Sequence, residues 1–177
     1  MKKNLLLQKT CDNKLIRTMY IMMFIIGIAI NGYSQTIMSL ESRLQTLEPA
    51  LAAHLQNLVI GLNPSVNLTN GELTIYGTGS PIVAICDAAS VNMLYGNDPA
   101  FSQVELIRLT VNSAVELPSA IDLTQMQGFT NLQYLLIVIG YDACGGQSDN
   151  CLATLLGGII QGASSPVIVL YNLSIPE

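Results

Sequence analysis

The residues best suited to chemistry lie in one polar loop near the C-terminal end of the sequence. Cys144 and Cys151 are separated by GGQSDN, a segment flexible enough to let the two sulfur atoms meet. In an oxidising compartment such a pair forms a disulfide, so we predict a Cys144–Cys151 bridge. Closing so short a loop stabilises a fold by at most about 2–3 kcal/mol in the chain-entropy model.

The same loop carries carboxylate and amide oxygens. Asp142, Asp149 and Asn150 are residues of the kind that bind calcium, although their spacing is not that of an EF-hand. Two carboxylates are also what a glycosidase needs, roughly 5–10 Å apart. A small secreted hydrolase or a calcium-dependent binder that uses Asp142 and Asp149, with Asn150 beside them, is therefore the alternative function.

Other reactive residues favour structural roles. His54 is the only histidine, and no nucleophile or orienting acid lies near it in the sequence, so we expect a hydrogen-bonded residue at the edge of a helix. Cys86 ends an apolar run and is predicted to be a buried thiol. The segment Gly77–Pro81 lacks the third glycine of a dinucleotide-binding turn and leads into a strand-like run, which predicts a turn. We predict no catalytic residue, metal or cofactor.

The N-terminal segment 1–34 has the composition of a secretory leader. All four lysines lie between Lys2 and Lys14, and the run Met19–Ile30 carries no charge. Cleavage after Ser34 would place the small residues Gly32 and Ser34 at positions −3 and −1, so we predict a signal peptide at 1–34 and a mature chain that starts at Gln35. As a helix the uncharged run spans about 18 Å, short of the roughly 30 Å hydrocarbon core. An uncleaved membrane anchor is the alternative.

This arrangement predicts a secreted, periplasmic or cell-surface protein. The apolar run that leads directly into Ser-Gln resembles exported proteins of Bacteroidetes-type bacteria. Residues 35–177 contain two arginines and eleven acidic residues, a net charge of −9. Such a surface repels nucleic acid and anionic lipid. The predicted partner is an extracellular protein or glycan. Self-association is a further alternative. The membrane is a partner only if the leader stays uncleaved.

Residues 35–64 predict an N-terminal helical cap. Leucines recur at three- and four-residue steps along one helical face, at positions 40, 44, 47, 51, 55 and 58. Pro49 is tolerated only in a first helical turn, so we expect a break near residues 45–48, with Ser39 or Thr46 as a cap. Gly61 and Pro64 end the helix. A coiled-coil seam is the alternative role for this leucine face.

Residues 70–177 predict a repeat-like β/α region. Five runs are rich in β-branched and aromatic residues: Glu72–Tyr76, Ile82–Cys86, Val104–Val111, Tyr134–Ile139 and Val167–Tyr171. If Leu73, Ile107, Leu135 and Ile168 are equivalent, the strands recur with a loose period of roughly 30 residues, which predicts a solenoid. The segments 88–101, 117–129 and 151–161 then return the chain as helix or irregular structure, as parallel strands require.

One stretch resembles a leucine-rich repeat. Leu117-Pro-Ser-Ala-Ile121 is followed by an L-x-x-L-x-I pattern at Leu132, Leu135 and Ile137, with Gly140 where that family has Asn or Cys. The resemblance covers the segment 117–140 well and the other runs poorly, and it implies no catalytic residues. It implies a short α/β solenoid with parallel strands, here behind an N-terminal capping helix, that binds macromolecules on its sheet face.

The predicted sheet also indicates an interaction face and an alternative fold. Aromatic side chains on such a face stack on sugars or anchor a protein partner, so the candidate interaction face consists of Tyr76, Arg108, Tyr141 and Tyr171. The run Leu135–Ile139 is apolar at every position, and such a strand is normally covered on both sides. A small three-layer α/β domain is therefore the alternative fold. The favoured function is an exported, non-catalytic binding or structural module.

Overall fold

The computed structural model of the protein describes residues 36–145, 150–162 and 166–174. The predicted leader at 1–34 lies outside the described residues. The described helices are α1 (Leu40–Thr46), α2 (Pro49–Ile60) and α3 (Asn150–Gly157). The described strands are β1 (Ile37–Ser39), β2 (Ser65–Thr69), β3 (Glu72–Tyr76), β4 (Val83–Asp87), β5 (Leu106–Val111), β6 (Ile121–Asp122), β7 (Tyr134–Ile139), β8 (Ile160–Gln161) and β9 (Ile168–Leu173). Short 3-10 helices occupy Ala88–Tyr95, Pro99–Phe101, Ala114–Glu116 and Leu123–Gln125.

Seven strands form one mostly parallel sheet. Their order is β1-β9-β7-β5-β4-β2-β3, and every neighbouring pair is parallel except β2 and β3. From β2 to β9 each parallel strand of this sheet lies beside the one that precedes it in the chain. β6 and β8 form a separate parallel pair. The predicted α/β class with parallel strands is confirmed.

The predicted equivalence of the strands is partly wrong. Ile107 does pair with Leu135, but Leu135 pairs with Val169 and not with Ile168. Leu73 lies on β3, which is antiparallel to β2 and does not belong to the parallel series. A single register position instead passes through Leu68, Cys86, Leu109, Ile137 and Tyr171, and its spacing along the chain lengthens at every step. The series therefore has no fixed period.

The hairpin that displaces Leu73 has a local cause. Asn70 and Gly71 both adopt positive φ, at 52° and 77°. This is the backbone of the two-residue Asn-Gly turn that joins antiparallel strands with the correct twist. The sequence around Asn70 therefore contains a hairpin signal, and β2 precedes it as the first strand of the parallel series.

The sheet is covered on both faces. On one face a core forms between the sheet and the segments that connect the parallel strands, with Leu94, Phe101, Leu123 and Leu156 buried. On the other face α1 and α2 pack against the sheet, and Leu55 and Leu58 of α2 are buried there. All six residues of β7, which lies near the middle of the sheet, are buried. The uniformly apolar run in β7 therefore corresponds to a strand enclosed between two layers.

The helical cap is broken where the sequence predicts it. α1 ends at Thr46 and α2 begins at Pro49, whose missing N–H costs nothing in a first turn. The oxygen of Ser39 caps α1 by accepting the N–H of Ser42 at 3.1 Å. Thr46 is not the cap of α2: Glu48 occupies that position, while the Thr46 hydroxyl donates to the carbonyl of Arg43. Gly61 ends α2 as expected.

Residues of two successive crossovers are joined by hydrogen bonds. The Thr130 hydroxyl donates to the Ser102 carbonyl at 2.9 Å, and Asn131 Nδ2 donates to Gln103 Oε1 at 3.1 Å. These two hydrogen bonds join the segment that precedes β5 to the segment that precedes β7. Gly140 lies close to Asn112. A Cβ added at Gly140 would therefore come within 3.0 Å of the Asn112 side-chain oxygen.

Candidate functional site

The predicted disulfide is confirmed. Cys144 and Cys151 are bonded, with their Cα atoms 6.1 Å apart. Asp142 Oδ1 accepts a hydrogen bond from the Cys144 N–H at 3.1 Å, and Asn150 is the first residue of α3. Asp149 lies outside the described residues, so the alternative acidic site stays a prediction. Within the part of the chain that the structure describes, no group of three or more His, Cys, Asp or Glu side chains could hold a metal ion.

His54 is hydrogen-bonded at the edge of its helix, as predicted. Its Nε2 lies 2.8 Å from Glu105 Oε2, and 45% of the His54 side chain is exposed. Gln133 Nε2 donates to the same Glu105 oxygen at 3.2 Å. These contacts fasten α2 to the beginnings of β5 and β7. No hydroxyl or thiol of the described residues is hydrogen-bonded to the His54 ring, and the contact that the structure shows there is the one to Glu105.

Cys86 is the buried thiol that the sequence predicts. Its residue is 1% exposed and forms no disulfide. Burial, with a smaller contribution from the negative charge of Asp87, raises the pKa of the Cys86 thiol to about 12. The thiol donates to the Asp87 carbonyl at 3.1 Å. A thiol held in the protonated state in this way is unreactive toward electrophiles near neutral pH.

The four residues of the predicted interaction face do not lie together. Tyr171 is buried on the side of the connecting segments, and Tyr141 packs against the same core. Arg108 projects from the opposite side of the sheet, where α1 and α2 lie, because it alternates with Ile107 and Leu109 of the first core. Tyr76 is exposed on the edge strand β3.

A one-residue difference in register explains the placement of Tyr171. Pairing Leu135 with Ile168 would set Tyr171 beside Val138, on the same side as Arg108. The actual pairing of Leu135 with Val169 sets Tyr171 beside Ile137, on the other side. A shift of one residue moves every side chain of a strand to the opposite face.

Arg108 lies in an apolar stretch of the sheet. Its neighbours in register are Ile85 on β4 and Leu136 on β7, and Asn67 follows Ile85 on β2. All of these side chains face the layer of α1 and α2. Arg43 and Arg108 are the two arginines of residues 35–177, a stretch without lysine, and only Arg108 lies on the sheet itself.

A cavity opens beside Arg108, between the C-terminal end of α2 and strands β2, β4 and β5. Its volume is about 340 Å³. Arg108 is the only charged residue in its lining, which is otherwise mostly apolar and includes Leu58, Leu62, Val83 and Ile85. Leu62 is fully exposed at its mouth. Apolar walls with one fixed charge are typical of small-ligand sites, which usually range from about 300 to 1,000 Å³.

Two polar atoms of sheet residues on this side lack partners among the described residues, and Arg43 Nε on α1 is a third such atom. The Nε of Arg108 and the Oδ1 of Asn67 are both buried, and neither forms a hydrogen bond to any residue that the structure describes. Arg108 also forms no salt bridge within the described ranges, although acidic residues are abundant. A buried donor or acceptor without a partner costs about 1–3 kcal/mol, and more for a charged group. Asn67 does not line the cavity, so of these two residues only Arg108 could offer a hydrogen-bonding group to a ligand there.

A second cavity, of about 470 Å³, lies near the edge strand β3. Its one charged lining residue is Asp98, whose Oδ1 already accepts the Ala100 N–H at 2.9 Å. The side chain of Asp98 is thus engaged in capping a 3-10 helix. The cavity beside Arg108 is the stronger candidate, because the guanidinium of Arg108 forms no such contact with the residues that the structure describes.

The sequence carried part of the signal for this site. Arg108 interrupts the alternation of β5, in which Leu106, Arg108 and Thr110 share one face. The predicted strand series places Val104–Val111 away from its ends. A charged residue in the middle of this strand therefore indicates a polar group inside the sheet. No sequence pattern predicted the cavity. It forms where the C-terminal end of α2 lies over β2, the strand that precedes the Asn70-Gly71 turn.

No helix among the described residues is both long and apolar enough to cross a membrane. No protein-family model, curated protein or solved structure matches this chain.

Proposed function

We propose that this protein is an exported, non-catalytic binding module that recognises an extracellular protein or glycan through the face of its sheet beside α2. The observation that carries the proposal is Arg108. Its charged side chain lies on the sheet next to a mostly apolar cavity, and its buried Nε has no partner among the described residues. Arg108 forms no salt bridge with the residues that the structure describes, so its charge is available to a ligand that enters the cavity.

The proposed architecture is a short β/α solenoid similar to leucine-rich-repeat proteins, behind a helical cap. Three features support it. The parallel strands follow one another in chain order, the connecting segments pack on one face, and hydrogen bonds join residues of two successive crossovers. In this proposal α1 and α2 cover part of the opposite face, so that the binding surface is limited to the region around Arg108.

The proposed location is outside the cytoplasm, with the leader at 1–34 removed. The lysine-rich start, the uncharged run Met19–Ile30 and the small residues before Gln35 support export. The Cys144–Cys151 bridge is compatible with an oxidising compartment. Intact-mass measurement on fractions of the native cells tests this. A species that begins at Gln35, found outside the cytoplasm, supports export. A full-length cytoplasmic species overturns it, and a full-length membrane species replaces it with an anchor.

Binding is tested with the immobilised surface proteins and glycans of the native host. We expect one saturable interaction, weakened at least tenfold by Arg108→Gln. Arg43→Gln is the matched control, since Arg43 is also half-buried with an unpartnered Nε but lies on α1 and does not line the cavity. Saturable binding that survives Arg108→Gln unchanged overturns the assignment of this face. Absence of any saturable binding overturns the function.

A further inference from the structure

We infer that the cavity beside Arg108 binds an aliphatic monocarboxylate, with the carboxylate on the Arg108 guanidinium and the hydrocarbon part against the apolar wall. The inference rests on the proposed function for its choice of this face, and it deepens that function by naming the chemical group that is recognised. A free short-chain acid and the last residue of a polypeptide both present this group, and the experiment distinguishes the two sources.

The end of the Arg108 side chain sets the charge of the ligand. Arg108 is the only charged residue of the cavity lining, and it forms no salt bridge with the residues that the structure describes. Its Nε is buried, so a ligand in the cavity meets the two terminal nitrogens of the guanidinium. Their N–H groups lie side by side in one plane and match the two oxygens of a carboxylate. The site therefore favours an anion with two oxygens in one plane.

The surroundings favour a single negative charge on the ligand. Ile60 and Gly61, at the C-terminal end of α2, line the cavity, and this end of a helix carries a partial negative charge. Residues 35–177 also carry a net charge of −9. Phosphate groups are bound instead at the opposite end of a helix, the N-terminus. A doubly charged phosphate is therefore repelled here more strongly than a carboxylate, and one arginine neutralises only a single charge.

The lining favours a hydrocarbon group over a sugar. The apolar side chains of Leu58, Val83 and Ile85 line the cavity. Ile60 and Leu62 also line it, and their exposed fractions are 72% and 107%. A hydrocarbon group in this space would cover apolar surface that water now contacts. None of the lining residues is aromatic, so no ring there can stack on a sugar, and a neutral sugar would leave the guanidinium without a counter-charge.

The volume of the cavity limits the length of the hydrocarbon group. About 340 Å³ is near the lower end of the range for small-ligand sites, which is roughly 300 to 1,000 Å³. Each methylene that enters the cavity is expected to tighten binding about fourfold, the equivalent of about 0.8 kcal/mol. The gain ends once the cavity is full. Affinity should therefore rise from acetate through butyrate to hexanoate and level off for longer acids.

The test is a titration with small probes of the protein purified after expression of the full chain. Hexanoate has both the carboxylate and the hydrocarbon chain. Hexanamide lacks the charge, acetate lacks the chain, and hexyl phosphate carries a double charge. Binding is followed by amide and arginine Nε–H NMR shifts. We expect hexanoate to bind saturably, with the largest shifts at Arg108, Ile85 and Leu58, and each of these other three probes to bind at least tenfold more weakly.

Variants add a second test. Arg108→Gln should weaken hexanoate binding at least tenfold, and Arg43→Gln, the control on α1, should leave it unchanged. Leu62→Asp places a negative charge at the mouth of the cavity and should weaken hexanoate binding at least threefold. Val115→Asp is its matched control, because Val115 is also an exposed apolar residue, at 96%, and does not line the cavity. Leu62 is fully exposed, so Leu62→Asp still tests the site if Arg108→Gln fails to fold.

A further comparison identifies the source of the carboxylate. The probe is the tripeptide glycyl-glycyl-leucine, which presents an aliphatic side chain next to a terminal carboxylate. If it binds at least as tightly as hexanoate, the source is the end of a polypeptide. If it binds more weakly, the source is a free short-chain acid. Both results support the carboxylate site.

The outcomes separate this inference from the proposed function. Equal binding of hexanamide, acetate or hexyl phosphate overturns the monocarboxylate site, and so does an unchanged affinity for hexanoate in Arg108→Gln or Leu62→Asp. Shifts confined to another surface overturn it as well. If no probe binds while a surface glycan or protein still binds in a manner that needs Arg108, the inference fails and the proposed function stands. If hexanoate binds and no surface glycan or protein does, the proposed function fails and the carboxylate site stands.

Discussion

The rings of Phe101 and Phe129 are stacked, with their centroids 4.4 Å apart and their planes 8° from parallel. The two residues occupy the same position in successive crossovers, each three residues before a buried or half-buried aliphatic residue, Val104 and Leu132. Phe101 is 1% exposed and Phe129 6%. The stack therefore connects two structural units through the core that lies on the side of the connecting segments.

Replacing either ring should destabilise the fold, and the two losses should be coupled. Phe101→Ala or Phe129→Ala is expected to lower the free energy of unfolding by about 3–5 kcal/mol. A double-mutant cycle should give a coupling of about 0.5–1.5 kcal/mol, the usual value for a stacked aromatic pair. Urea denaturation followed by circular dichroism measures both. Leu55→Ala, on the other face of the sheet, is the control, and its effect should add to that of Phe101→Ala.

Removal of the disulfide should lower the stability of the fold by a moderate amount. The double variant Cys144→Ser/Cys151→Ser is expected to unfold with a free energy about 2–3 kcal/mol lower, because the bridge closes only a short loop. A reductant should lower the stability of the unaltered protein by the same amount and leave the double variant unchanged. If a reductant destabilises the double variant as well, another cysteine pairing contributes.

The carboxylate of Asp87 should make the free energy of unfolding depend on pH in the acid range. Its Oδ2 accepts the Asn70 N–H at 3.0 Å and its Oδ1 accepts the Ser90 N–H at 2.8 Å, so one side chain joins the β2–β3 turn to a 3-10 helix. Burial opposes ionisation, but these bonds, together with those from the Ser90 hydroxyl and the Ala89 N–H, outweigh it and lower the pKa of Asp87 below its ordinary value.

A lowered pKa in the folded state stabilises the fold above the unfolded pKa, and the stabilisation is lost as the pH falls through the folded value. Asp87→Ala is expected to lower the free energy of unfolding at pH 7 by about 1–2 kcal/mol, as for the loss of a helix cap. The difference from the unaltered protein should shrink below about pH 4. Asp87→Asn, which keeps an acceptor but cannot ionise, is the matched control. A difference that stays constant throughout the acid range would contradict the role of the charge.

Arg108→Met should separate stability from binding. Methionine fills the space of the arginine stem without a charge, and burying an apolar group in place of an unpaired guanidinium is expected to raise the free energy of unfolding by about 1 kcal/mol. The same variant should lose binding at the cavity. Parallel urea denaturation and NMR titration check both effects. A loss of stability would show that the guanidinium has a structural partner, and that its function lies in folding.

Calcium is expected to leave the melting temperature unchanged. Asp142 Oδ1 is engaged with the Cys144 N–H, and the described residues hold no group of side chains suited to a metal. A ligand that binds only the folded state raises the melting temperature as its occupancy rises. Differential scanning fluorimetry with calcium and with magnesium therefore shows whether calcium binds. A rise that is specific to calcium and lost in Asp142→Asn would establish the alternative acidic site.

The sequence by itself determined the features that depend on neighbouring residues. Pro49 placed the break between α1 and α2, Gly61 ended α2, and short runs of β-branched residues located β3, β4, β5, β7 and β9, with only small errors at most of their ends. The spacing of Cys144 and Cys151 predicted their bridge. Each of these signals acts within a few positions of the chain, where periodicity, φ preference and loop length decide the outcome.

Only the tertiary structure decided which side chains share a face. The partner of Leu135 is Val169 and not Ile168, and this single step buries Tyr171 while Arg108 projects from the other side of the sheet. Both pairings keep apolar residues opposite each other, so local hydrophobicity does not distinguish them. The choice is made by the packing of whole layers, since contacts between residues far apart in the chain determine register and the position of α2 over the sheet. The cavity and the lack of a partner for Arg108 Nε among the described residues are consequences of that packing.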